Sequence, residues 1–156
     1  MLSREFPKTH PKAGQPTDFK EKKEAGIKKH TIRGNVELWE YRAKEINAGR
    51  AELSVRQWSG KPYERGSHQI EIARHTCLGT QRVSLRYKYN SKRGYHLPIS
   101  SKVTDSNGVQ KVIGLDRLAA NDGLSVEDFK EWFSFEGKNL KGVIYGVILH
   151  FTDMRY

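Results

Sequence analysis

The sequence predicts an α+β domain in which a curved sheet is covered by helices. Three observations carry this expectation. Apolar residues recur at helical spacing in short stretches bounded by capping residues, several stretches alternate apolar with polar residues, and an apolar run, GVIYGVILHF, stands near the end of the sequence. At 156 residues the chain has room for one domain with one core. The expected order is helix, strand, helix, three or more strands, helix, strand.

Residues 7–17, PKTHPKAGQPT, hold three prolines and a glycine with almost no apolar content. Residues 1–16 are therefore expected to form an extended N-terminal arm, with the domain proper over 17–156. Thr17 or Asp18 can cap a short helix from Phe19 to Ala25, and Gly26 stops it. Ile27, Thr31 and Ile32 are β-branched and favour a strand over 27–33. Asn35 caps a second helix to about Ala48, because Val36, Trp39, Ala43 and Ile46 fall on one face, and Gly49 ends it.

In AELSVRQW, Leu53, Val55 and Gln57 alternate with Glu52, Ser54 and Arg56, which predicts a strand with one wet face before an SGKP turn. His68–Ala73 and Gln81–Tyr89 repeat the pattern. Residues 90–111 read as an extended basic loop or hairpin, with Tyr95, Leu97 and Ile99 spaced by two. Ser125 opens the clearest helix: its hydroxyl can accept from the Asp128 amide, the Asp128 carboxylate can reach back, and Leu124 and Phe129 can form a hydrophobic staple. GVIYGVILHF is apolar on both faces, as expected of a strand inside the sheet.

The chain carries 28 Lys and Arg against 18 Asp and Glu, a formal charge of +10. A charge of this size attracts polyanions, although it also serves solubility alone. The charge is segregated. Residues 1–33 carry +5 and 50–102 carry +8, whereas 34–49 carry −1 and 103–156 carry −2. One face meeting phosphate and another avoiding it would produce this pattern. Cys77 is the single cysteine, which rules out an intramolecular disulfide and a CxxC metal cluster and suits a reducing compartment. MLSREFPKTHPK has no apolar signal region, and GVIYGVILHF is about half the length that spans a bilayer. The expectation is a soluble cytoplasmic monomer without cofactor or membrane partner.

Lys28 to Arg33, KKHTIR, concentrates the chemistry. In a regular strand Lys29, Thr31 and Arg33 would share one face and Lys28, His30 and Ile32 the other. Gly26 and Gly34 flank the segment and permit a sharp turn or a close ligand. Arg33 offers a planar fork of donors, the lysines offer compact charge, and Thr31 offers a hydroxyl that orients a ligand or, deprotonated, attacks one. The competing reading is a basic edge strand whose lysines discourage aggregation.

A short helix, a glycine or basic residue and then K-x-x-T-x-R, here Lys28, Thr31 and Arg33, resembles the signature of the ASCH family, a branch of the PUA-like superfold of small β-barrels flanked by helices. NAGRAELSVRQW, AANDGLSVEDF with Asp122, and the closing GVILHFTDMRY are similar to later family elements, so the resemblance covers about residues 17–156. LSVRQWSGKPY and ILHFTDMRY look closest to ASCH-like chains of bacteria and their phages. The resemblance implies an RNA-binding or modified-nucleoside-binding domain. It also implies an alternative, an amidohydrolase acting on N4-acetylcytidine-type nucleosides. There Thr31 would be the nucleophile, Lys28 its base and Asp122 the acid or base at the leaving amine, with Arg33 steadying substrate or oxyanion. Asp122 stands where the hydrolases have Glu, one methylene shorter, and the chain has an N-terminal extension and a longer insertion after Arg33.

Trp58, Tyr63, Tyr87, Tyr89 and Tyr95 lie among Arg56, Lys61, Arg65, Arg86, Lys88, Lys92 and Arg93, which suits base stacking beside phosphate contacts and equally an ordinary amphipathic strand. The residues expected to bind ligand or RNA are Lys29, Arg33, Arg56, Trp58, Lys61, Tyr63, Arg86 and Lys88. Asp122 also suits a tight NDG turn. The six histidines show no HxH or HxxxH spacing, so no metal is expected, and His150 is read as a satisfied core residue.

Overall fold

A computed structural model describes residues 1–136 and 142–156. The chain runs through α1 (Phe19–Glu24), β1 (His30–Arg33), α2 (Val36–Asn47), β2 (Leu53–Trp58), β3 (Gln69–His75), β4 (Gly79–Asn90), β5 (Tyr95–Thr104), β6 (Gln110–Ile113), α3 (Leu115–Asp122), α4 (Val126–Trp132) and β7 (Val143–His150). The fold is mixed α+β. Five strands form one antiparallel sheet in the order β1-β7-β4-β5-β6, and β2 and β3 form a separate two-stranded ribbon. Among the described residues the two do not close into a barrel.

Register divides the large sheet into two faces. Ile32 pairs with Ile148, Val83 with Val103, and Ser101 with Ile113, so β-branched residues line one side. Onto that side pack Phe19 of α1, Leu115, Leu118 and Ala119 of α3, Phe129 of α4 and Val55 of β2. Removing their side chains from water supplies the main driving force for folding. On the opposite side Val147 and Leu149 meet Ala43 and Ile46 of α2. β7 is flanked by β1 and β4 and is buried on both faces from Gly146 to His150, which explains the apolar character of that stretch.

Local signals act as their chemistry dictates. The Asn35 side chain accepts from the Leu38 amide at 3.3 Å, and the Ser125 hydroxyl accepts from the Asp128 amide at 3.1 Å. Three points need correction. The Asp128 carboxylate does not reach back to its cap but takes Lys12 Nζ at 2.8 Å. The strand expected over 27–33 starts only at His30. Residues 90–111 take the hairpin alternative, with all of β5 antiparallel to the start of β6. Helix α3 was not foreseen. Its buried residues Leu115, Leu118, Ala119 and Asp122 recur at helical spacing, but the fourth is a carboxylate where an apolar residue completes such a stripe.

The first 16 residues contain no helix or ladder strand, as their prolines demand, yet they lie against the domain. Leu2, Phe6 and His10 are buried, the Leu2 amide donates to Arg56 O at 2.7 Å, and Thr17 Oγ1 donates to Ser3 O at 2.7 Å. The Phe6 ring stacks on His10, with centroids 4.3 Å apart.

Replacing Ser125 with Ala removes a helix cap worth about 1 kcal/mol and lowers the melting temperature by about 2–4 °C in a chain of this size. Thermal unfolding followed by circular dichroism checks this; an unchanged melting temperature would mean that α4 does not depend on the cap.

Candidate functional site

Because β1 begins at His30, Lys28 and Lys29 lie outside the ladder and the chain bends before them. Two backbone bonds fix that bend. The Lys29 amide donates to Asn121 O at 2.7 Å, and Lys29 O accepts from the Phe151 amide at 2.8 Å. The entry to β1 is thus clamped between the last turn of α3 and the end of β7. Lys28 turns inward on the same side as His30, with half-buried Lys29 between them.

There Lys28, 2% exposed, forms an ion pair with the carboxylate of Asp122, 3% exposed. Its Nζ also donates to Asp122 O at 2.6 Å and lies 4.1 Å from the centre of the Phe19 ring. Gly123 makes room for this contact. It ends α3 with φ +79°, and a Cβ at that position would stand 3.2 Å from Lys28 Cβ. Burial pushes the Lys28 ammonium below its usual range and the Asp122 carboxyl above its own, because both charged forms lose water. As an ion pair or as a neutral pair the two groups hold one proton together, the same number that they hold unfolded near neutral pH. The pair therefore leaves stability near neutrality almost independent of pH.

Behind the pair lies a second buried group. His30 Nδ1 is 4.0 Å from Asp122 Oδ1, and His30 Nε2 is 2.7 Å from the Tyr156 hydroxyl, which accepts from Asn121 Nδ2 at 2.9 Å. With the Tyr156 proton donated to Nε2, the imidazole proton lies on Nδ1 and faces Asp122. The His150 ring is 5.9 Å from that of His30. Neither His150 nitrogen has a hydrogen-bond partner among the described residues, so it is not the satisfied core histidine that was expected. Burial, with the Lys28 charge beside His30 and Arg155 near His150, lowers both histidines to about 3.

Lys28, Thr31, Arg33 and Asp122 line one cavity of about 80 Å³, walled by Met1, Leu2, Ser3, Phe19 and Trp132. This volume takes a small polar group and not a nucleoside. Thr31 is 8% exposed, and its hydroxyl makes no side-chain hydrogen bond among the described residues. Arg33 Nη2 donates to Met1 O at 2.9 Å. On the other side of the Met1–Ser3 wall lies a cleft of about 440 Å³, lined also by Arg4, Trp58, Lys61 and Tyr63. That size is in the range of small-ligand sites. The Trp58 and Tyr63 ring centres are 5.1 Å apart, and Tyr63 is 92% exposed. Its backbone is left-handed, φ +64°, a conformation costly for an aromatic residue and common where function holds it.

Of the residues singled out from sequence, Lys28, Thr31, Arg33 and Asp122 thus meet at the cavity, and Trp58, Lys61 and Tyr63 meet at the cleft. Lys29, Arg56, Arg86 and Lys88 line neither. Arg56 is spent on the β2–β3 ribbon, with Nε donating to Ser54 Oγ at 2.7 Å and Nη2 3.8 Å from Glu71. Sequence reasoning passed over Met1–Ser3, Arg4, Phe19, Trp132, His30, Asn121 and Tyr156. The signal for Asn121 was the unread stripe of α3; a common wall formed by residues 1–3 has no local signature. Among the described residues no three His, Cys, Asp or Glu side chains form a metal site, and no helix is long and apolar enough to cross a membrane.

The chain matches no protein-family model, no curated protein and no solved structure. The residues themselves carry the functional reading.

His30 and His150, with folded pKa values of about 3 against 6.5, bind fewer protons in the folded than in the unfolded chain between those values. Stability is therefore lost as pH falls below 6.5, by up to about 1.4 kcal/mol per pH unit for each histidine. Urea midpoints at pH 7.5 and 5.5 test this: the midpoint should drop at the lower pH, and a flat or rising midpoint would contradict the burial of neutral imidazoles.

Proposed function

We propose that this protein binds single-stranded RNA or a modified nucleoside, with a base held against Trp58 and Tyr63. The observation that carries the reading is the pairing of those two rings in a cleft of about 440 Å³ that also bears Arg4 and Lys61, with Glu5 as its one carboxylate among the described residues. An exposed aromatic beside cations supplies a stacking face for any base and charge for the adjoining phosphates. Arg33 lies across the Met1–Ser3 wall, where its guanidinium holds a backbone carbonyl oxygen. In this reading that oxygen marks the place of a phosphate or carbonyl oxygen of the ligand when the wall shifts. Kinship to ASCH and PUA-like domains belongs to the same proposal; its support is the meeting of Lys28, Thr31, Arg33 and the distant Asp122 in one cavity.

A hydrolytic reading rests on one feature, a Lys28 amine pushed toward its neutral form by burial in the cavity that Thr31 also lines. A general base must reach the proton it removes. Here Nζ is engaged by two oxygens of Asp122, and no hydrogen bond joins it to Thr31 among the described residues. Binding is therefore the better supported function. Incubation with N4-acetylcytidine and chromatography decides between them, since release of cytidine that is lost in Thr31→Ala would establish the hydrolase.

Tyr63→Gly gives the sharpest test of the binding reading. Glycine adopts φ +64° without strain, so the variant should melt no lower than the parent while its affinity for single-stranded RNA falls about tenfold. Titration of the intrinsic tryptophan fluorescence with RNA at low salt checks the affinity, and thermal unfolding followed by circular dichroism checks the melting temperature. RNA affinity equal to that of the parent would overturn the assignment of the cleft.

A further inference from the structure

The face of the large sheet that α2 covers is covered only in part. Arg82 of β4 is held by Glu40 of α2 through bonds of 2.7 and 2.8 Å, and beyond that pair Ser84, Ser100 and Val143 are half-buried and Tyr145 is exposed. Register fixes what it presents. Tyr145 of β7 pairs with Ser84 of β4, which pairs with Lys102 of β5, and the next row places Val143 beside Arg86 and Arg86 beside Ser100. These residues line a groove of about 490 Å³, and Tyr145 is 70% exposed within it.

The groove is basic. Its lining carries Arg86 and Lys102 and no carboxylate. Arg50, Arg56, Arg74, Arg82 and Arg93 each face an acidic side chain, whereas Arg86 and Lys102 enter no ion pair among the described residues. Two uncommitted cations thus flank an exposed aromatic on a pleated platform. Neighbouring strands lie about 4.8 Å apart, so all three side chains are within reach of one or two nucleotides. Ser84 and Ser100 add hydroxyls that can bond ribose.

We infer that this open half of the sheet is a second nucleic-acid site, at which one base of a single strand stacks on Tyr145 while Arg86 and Lys102 neutralise its flanking phosphates. The occupant is a single strand, because a base paired inside a duplex cannot present its face to Tyr145. The site lies on the sheet face opposite the one that packs Phe19 and Ile32. It rests on the RNA-binding reading above only for the choice of probe.

The test is anisotropy of a fluorescent oligouridylate of about twelve nucleotides, titrated over a range of salt. Tyr145→Ala should weaken binding about tenfold and Tyr145→Phe should restore it, which separates stacking from structural damage. The double variant Arg86→Ser with Lys102→Ser should flatten the slope of log affinity against log salt by about 1.4, the equivalent of two phosphate contacts. Affinity and slope unchanged in these variants would overturn the site. So would equal binding of a double-stranded probe that Tyr145→Ala weakens as much. If Trp58→Ala weakens binding and the sheet variants do not, the cleft stands and this site falls; the opposite result leaves the sheet site standing and removes the cleft.

Discussion

The buried pair of Lys28 and Asp122 is the constraint on which the rest of the site depends. Three elements converge there: the entry to β1, the last residue of α3 and the Phe19 ring of α1. Removing two charges from water costs several kcal/mol each, and an apolar pair of the same volume often stabilises a fold as well or better. The sequence nevertheless places a carboxylate on the core stripe of α3 and a lysine opposite it. A fold that needed only packing would have a leucine at Asp122. Thr31 and Arg33 follow the pair along β1 and line the same cavity.

The N-terminal segment gives the pair its setting. Met1, Leu2 and Ser3 stand between the cavity of Lys28 and the cleft of Trp58, and hydrogen bonds to Arg56 O and from Thr17 Oγ1 hold them in place. Basic residues are then distributed by task. Arg56 and Arg74 on the β2–β3 ribbon and Arg82 beside Glu40 of α2 meet carboxylates and serve the fold, while Arg86 and Lys102 enter no ion pair among the described residues. A net charge of +10 says nothing of this division, which appears only when each cation is placed beside its neighbours.

Much of the fold was legible in the sequence, because local rules decide it. Asn35 and Ser125 cap the helices that their spacing announces, and the alternation of Leu53, Val55 and Gln57 yields β2. Helix α3 was hidden for a physical reason, its stripe ending in a buried carboxylate rather than an apolar side chain. Alternation through KKHTIR puts Lys28 and His30 on one face, where both meet Asp122, but nothing local shows that Thr31 and Arg33 line the same cavity or that Asn121 and Phe151 bond the Lys29 backbone. The left-handed backbone of Tyr63 likewise has no sign in its neighbours, which are Pro62 and Glu64 rather than a glycine. Local chemistry reads well from sequence, and convergence of distant residues does not.

The most direct test of the central role of the pair is a double substitution, Lys28→Met with Asp122→Leu, measured beside each single change. Each single variant leaves a lone charge buried and should lose about 3–5 kcal/mol of stability, while the double variant should recover most of that loss. If the pair exists to organise the ligand site, the double variant folds but binds single-stranded RNA at least about tenfold more weakly than the parent. A double variant that folds and binds RNA with the parent's affinity would contradict the account and leave the pair a purely structural contact.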